Sequence, residues 1–406
     1  MIMHPRPSPI AASMYQLRDI GVDAIIMHGP SGCCFRTARL LELDGVRVFT
    51  TAMDENDFIF GAQEKLSNTI ADVIDYLKKN KSEKNKYLIG IVGTCVSMII
   101  GEDLYAPVDD YNDNRDVVII PVEVHSGMND NTIGAIKTME SCLNLGIIDE
   151  KEFNRQKEML IKATEVEKTR GMAKSKYIKP TYEDDLDEVI NLITEYINKY
   201  NNINNSSNNI NNNNNNNSNN NLKIACVLNA KKETAYLFAH PLVEINKIIN
   251  KIKNNIDKNK KNINIENIDI INIVNLDKNI GFKKVRKDAE NILNEYSKNN
   301  INIDYITGGL DEYPITGKRA VNILKEINPD IVIVSGVPHA LPIEELKEIN
   351  KDVITIGISD GPRLYYPIKE IYDYAIIELD AHAKVLGKRA IVKSRFGEVL
   401  NYALNK

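Results

Sequence analysis

Two cysteines carry the clearest chemistry in the sequence. Cys33 closes the stretch Asp23-Ala-Ile-Ile-Met-His-Gly-Pro-Ser-Gly-Cys33, and Cys95 closes Tyr87-Leu-Ile-Gly-Ile-Val-Gly-Thr-Cys95. In both, a short apolar run reads as a buried strand, and a glycine turn follows it. A helix is expected to start just beyond Cys33, over Thr37 to Leu43. A strand end, a glycine turn and a helix N-terminus favour negative charge, so a thiolate forms there more easily, and thiolates bind metal. In open parallel sheets ligands bind outside the carboxyl ends of the strands, so the two thiols could face one site. The alternative for each is a small buried apolar side chain. Cys34 adjoins Cys33 and would point elsewhere. Cys142 falls on the apolar face of a helical segment and Cys226 inside an apolar strand, so both read as core.

Two cysteines are too few for an iron–sulfur cluster, which takes four. A two-fold symmetric dimer supplies four, but the same arithmetic fits zinc, so the count leaves the metal open. Other candidates also sit past strand ends. His28 and His125 are possible site histidines, or loop-fixing ones. Asp54 and Asp57, within the acidic loop Met53–Gly61, are candidate proton donors. Arg363 could pair with a substrate carboxylate, since a guanidinium matches that geometry.

These residues need a scaffold of alternating strands and helices, and the chain supplies one. Strands are expected at Val46–Thr51 and Val117–Val124, with helices at Ser8–Ile20, Gln63–Lys79 and Thr132–Leu145. A second β–α series runs from Leu222 to Thr307 and a third from Gly317 to Glu378. The expected fold class is α/β, three Rossmann-like domains whose parallel sheets are flanked by helices. The expected division is 1–150, then a helical connector over 151–221, then 222–313 and 314–406. The connector carries an asparagine tract, roughly Asn201 to Asn221, that cannot bury apolar surface and is expected to be disordered. Lys251 to Asn267 shares its bias.

The chain has 406 residues, a formal net charge of −5, 43% hydrophobic residues and five cysteines. No basic excess points to nucleic acid. No apolar run is long enough to span a bilayer. The N-terminus lacks a basic stretch followed by an apolar one, so no signal peptide is read and a cytoplasmic location is expected. An odd cysteine number disfavours a disulfide framework. There is no GxxxxGK[ST] and no well-placed GxGxxG, so ATP and dinucleotides are not expected to bind by a familiar route.

Several motifs together carry a family resemblance. They are His28-Gly-Pro-Ser-Gly-Cys33, Phe60-Gly-Ala-Gln-Glu-Lys-Leu66, Gly93-Thr-Cys95 with Ile99-Ile-Gly-Glu-Asp103, and Pro329-Asp-Ile-Val-Ile-Val-Ser335. The chain resembles the nitrogenase component 1 superfamily. Its length and its opening, His4 to Asp19, are most similar to the catalytic subunits of nickel-sirohydrochlorin a,c-diamide reductive cyclases, which act in coenzyme F-430 biosynthesis. The resemblance implies a [4Fe–4S] cluster at a subunit interface, with Cys33 and Cys95 as ligands and His28 and Gly32 beside it. Many relatives carry a further ligand upstream, where Met1 to Ile26 here has no cysteine, which implies a cluster shared across a homodimer. The resemblance further implies a nickel tetrapyrrole substrate in a cleft between domains. Electrons would come from a nitrogenase-iron-protein-like ATPase, with ATP on that partner. Asp54, Asp57 and His125 would then be proton donors to the macrocycle. The rival readings are a reductase of another tetrapyrrole, of the protochlorophyllide type, and a non-catalytic cluster or tetrapyrrole scaffold.

Overall fold

The computed structural model of the chain describes residues 8–33, 35–80, 86–109, 111, 116–128, 131–171, 184–206, 222–259 and 268–404. These form two compact units, Met1–Ile161 with Gly281–Lys284 and Lys162–Ile280 with Val285–Lys406.

The first unit holds a four-stranded parallel sheet of β1 (Ala24–His28), β2 (Arg47–Thr50), β3 (Tyr87–Gly93) and β4 (Val117–Val122), in the order β2-β1-β3-β4. Its helices are α1 (Pro9–Ile20), α2 (Phe35–Leu43), α3 (Glu55–Phe60), α4 (Gln63–Asn80), α5 (Cys95–Ile99), α6 (Ala106–Asp109) and α7 (Asn131–Asn144), and α8 (Glu150–Thr169) begins here. β1, β3 and β4 are apolar on both faces because both are covered, whereas the edge strand β2 is exposed or half-buried. Along β1, Ile25 and Met27 join a cluster with Met14 and Leu17 of α1 and Met139 of α7. Ala24 and Ile26 face the other way, into a cluster with Leu66, Ile70 and Val73 of α4. The period of two splits one apolar run between two cores.

The second unit contains α9 (Leu186–Ser206), β5 (Leu222–Asn229), α10 (Ala235–Phe238), α11 (His240–Asn259), β6 (Ile268–Val274), α12 (Lys283–Lys298), β7 (Tyr305–Ile306), α13 (Tyr313–Ile327), β8 (Ile331–Gly336), α14 (Glu344–Lys347), β9 (Ile354–Asp360), α15 (Tyr365–Lys369), β10 (Tyr374–Glu378), α16 (Ala381–Val385) and α17 (Arg395–Leu404). Its six strands form one parallel sheet in the order β10-β9-β8-β5-β6-β7. The boundary expected at residue 313 therefore falls inside this sheet, because β8 returns to pair with β5. Ile224, Cys226 and Leu228 of β5 pack into one core, and Ala225 and Val227 into the other.

The fold class is α/β with parallel sheets flanked by helices, as the β–α alternation predicts. Three local differences stand out. The acidic loop expected over Met53–Gly61 contains helix α3, nucleated by a capping box between Asp54 and Asp57. The second expected series, which runs to Thr307, ends in a strand of only Tyr305–Ile306 at the sheet edge. The asparagine tract begins as the last turns of α9, and its remainder, 207–221, lies outside the described residues, as do Cys34 and 260–267. No helix among the described residues is long and apolar enough to cross a membrane.

Candidate metal centre

β1 and β3 are neighbours in register, with His28 opposite Gly93, so both cysteine motifs emerge side by side at the carboxyl end of the sheet. The crossing is tight. The Thr94 hydroxyl donates to the His28 carbonyl at 2.9 Å, and Thr94 is fully buried. A Cβ on Gly29 would lie 2.5 Å from Thr94 Oγ1, so glycine is required there. Thr94 also caps α5 in a capping box with Ser97, which makes Cys95 the first residue of that helix. Cys33 follows the turn after β1, where its amide donates to the Pro30 carbonyl at 3.0 Å.

Both sulfurs are half-buried against the same apolar cluster. Burial pushes the Cys33 thiol up, and the neighbouring Cys95 adds to the rise, since two adjacent thiolates repel. A metal cation reverses that balance by neutralising both. Cys142 and Cys226 are fully buried in the cores, and burial pushes each thiol up to about 12. Among the described residues no group of three or more His, Cys, Asp or Glu side chains could hold a metal ion. Cys33 and Cys95 thus offer a pair of thiols at one end of the sheet. That pair is half of the four thiolates that an iron–sulfur cluster takes.

Ser126 is the residue that sequence reasoning missed. Its hydroxyl lies 2.7 Å from Cys95 Sγ, and its amide donates to the same sulfur at 3.3 Å. It sits in the turn after β4, the strand beside β3. The only signal in the sequence was the small-residue turn His125-Ser-Gly127 at a third strand end.

The other expected site residues take varied places. His28 is fully buried. Its ring contacts Thr51 Oγ1 at 3.3 Å through Nδ1 and Glu102 Oε2 at 3.2 Å through Nε2. Burial lowers its pKa against the opposing hydrogen bond and charge of Glu102 and the charge of Asp57. Glu102 in turn accepts the Ala62 amide at 2.7 Å, which ties the loop after α5 to the start of α4. Asp54 and Asp57 cap α3 and both pair with Lys65. Hydrogen bonds from the Asn56 amide and from Lys65 hold the exposed Asp54 carboxyl below its usual range. The half-buried His125 ring accepts the Gly127 amide through Nδ1 at 3.1 Å. Gly32 is exposed with open space around it. Arg363 lies in the 3-10 turn Pro362–Leu364 after β9 and so belongs to the second unit.

Large apolar side chains stand in solvent on the elements that follow these strand ends. Phe35 of α2 is 69% exposed, Phe60 of α3 83% and Ile99 of α5 74%. Each of the three lies on a helix that follows a different strand, β1, β2 or β3.

The first unit is a parallel α/β sheet with two thiols at adjacent strand ends, and the comparisons give the chain's family. The chain belongs to the nitrogenase component 1 type oxidoreductase family, whose model matches residues 8–210. Full-length relatives are named component CfbD of the Ni-sirohydrochlorin a,c-diamide reductive cyclase complex. The one from Methanocaldococcus jannaschii is 63% identical over 404 residues, covering 100% of both chains. That of Methanothermobacter thermautotrophicus is 47% identical over 407 residues, covering 100% of this chain and 99% of the relative. That of Methanosarcina acetivorans is 38% identical over 402 residues, covering 98% and 96%.

Proposed function

We propose that this chain is the catalytic component of a nitrogenase-like reductase that reduces nickel-sirohydrochlorin a,c-diamide and closes its lactam ring in coenzyme F-430 biosynthesis. The observation that carries this reading is the pair Cys33 and Cys95 at adjacent strand ends, in a chain aligned end to end with relatives of that name. The two chains of a homodimer would hold one [4Fe–4S] cluster between them, two thiolates from each. When bound, such a cluster supplies low-potential one-electron transfer. Phe35, Phe60 and Ile99 would bury against the second copy. Ser126 would donate hydrogen bonds to the Cys95 sulfur, and such bonds tune potential.

The chain has no nucleotide loop, so ATP hydrolysis belongs to a separate iron-protein-like ATPase in this reading. The test is anaerobic turnover with that partner, ATP, a low-potential reductant and the nickel tetrapyrrole. The optical spectrum should change and the product mass should match a reduced, lactam-closed macrocycle. Binding with an unchanged spectrum would make the chain a scaffold. Acceptance of protochlorophyllide alone would make it a reductase of another tetrapyrrole. ATP hydrolysis by this chain without a partner would overturn the division of labour.

A further inference from the structure

The second unit has a topological switch point of its own. From β5 the chain moves through β6 to β7 on one side, and from β8 through β9 to β10 on the other, while β5 and β8 are neighbours. Ligands in open parallel sheets bind outside the carboxyl ends at such a point. Three ionisable side chains converge there. Lys231 follows β5 by two residues, Asp360 ends β9, and His382 lies on α16, just after β10. Lys231 Nζ is 3.3 Å from Asp360 Oδ2, and His382 Nδ1 is 3.4 Å from the same oxygen. Only the imidazole stands in solvent; the carboxylate and the ammonium are both largely covered. The His382 side chain is 59% exposed, that of Asp360 11% and that of Lys231 16%.

We infer that His382, Asp360 and Lys231 form a proton-delivery chain serving the ligand held over these strand ends. The inference rests on the reductase reading. A buried carboxylate shared between an exposed imidazole and a buried ammonium connects solvent to the interior through one atom. Adding two electrons across a macrocycle double bond requires two protons, turning C=C into CH–CH. The electrons arrive singly from a low-potential donor protein. For each proton, the Lys231 ammonium transfers one to the basic reduced carbon and becomes an amine. With the Lys231 charge gone, Asp360 takes a proton from the His382 imidazolium and passes it to the amine, and His382 reloads from solvent.

Burial raises the Asp360 pKa, but Lys231 and His382 outweigh it and hold the carboxyl below its usual range while Lys231 is charged. Burial opposes the Lys231 charge, but Asp360, Glu167 and Glu233 together keep the ammonium loaded. Burial and the Lys231 charge lower the His382 pKa against Asp360 and Glu233. Glu167 is itself engaged by His339 at 3.4 Å. A plain clamp between β5 and β9 would need no exposed imidazole.

The test measures macrocycle reduction by the complete complex for wild type, His382→Ala, Asp360→Asn and Lys231→Met, each with a tetrapyrrole-binding titration. General acid catalysis contributes about 10²–10⁴-fold, so Lys231→Met and Asp360→Asn should slow turnover by roughly 10²-fold while binding persists. His382→Ala should fall about tenfold, and added imidazole should restore it, because small buffers replace an exposed proton carrier. Wild-type rates for His382→Ala, or a slow variant that imidazole leaves unchanged, would overturn the relay and leave a structural clamp. A wild-type complex without turnover would instead overturn the reductase reading, and the relay with it.

Discussion

Replacing Gly29 by alanine tests how the two cysteine motifs are locked together. The added Cβ would lie 2.5 Å from Thr94 Oγ1, 2.6 Å from its Cγ2 and 3.0 Å from its Cβ. Thr94 has no room to yield, because it is fully buried and its hydroxyl is spent on the His28 carbonyl at 2.9 Å. Overpacking of this kind costs roughly 1–3 kcal/mol. With a urea dependence of about 2 kcal/mol per molar, the midpoint should fall by about 1 M. Hydrogen exchange of the β1 and β3 amides would assign the loss to this unit. Thr94→Ala alone should cost about 1 kcal/mol, mainly through the lost cap. In the double variant the two clashing atoms are gone, so the costs should fall short of their sum by about 1 kcal/mol or more. Wild-type stability for Gly29→Ala, or strictly additive costs, would refute the crossing as described.

Other outcomes follow from the same geometry. Ser126→Ala removes the hydroxyl 2.7 Å from Cys95 Sγ but keeps the amide. One hydrogen bond of about 0.5–1.5 kcal/mol corresponds to roughly 20–60 mV for a one-electron couple, and its loss should lower the cluster potential in a redox titration followed by EPR. Burial keeps His28 neutral by lowering its pKa in the folded chain, so the unfolded chain binds a proton that the folded chain refuses. Stability from this group is therefore present above the unfolded value near 6.5 and is lost as pH falls below it, by at most about 1.4 kcal/mol per unit. His28→Gln should flatten that acid limb in urea titrations between about pH 6.5 and 5.

The inner strands were readable because both their faces are buried, which writes apolar runs into the sequence, while the edge strands β2 and β7 are exposed. The lateral order of the strands was not readable, since nothing local in Ile331–Val334 says that this strand returns to β5. Helix α3 was missed because Asp54-Glu-Asn-Asp57 reads equally as a solvated acidic loop or as a capping box. Cys33 and Cys95 stood out because glycine turns flank them. Ser126, Lys231, Asp360 and His382 did not, because single polar residues past strand ends look like ordinary turn chemistry until the fold brings them together.

The central claim is that Cys33 and Cys95 of each chain jointly complete one cluster in a homodimer. Iron analysis of the anaerobically purified chain, with its mass in solution, measures this directly. Wild type should hold about two irons per chain, four per dimer. Cys33→Ser or Cys95→Ser removes two of four ligands at once by symmetry. Iron should be lost, and the dimer weakened, because a shared site binds only the assembled state. Cys142→Ser and Cys226→Ser should retain iron, since both side chains are sealed in the cores. About four irons per chain, or full iron in Cys95→Ser, would contradict the account.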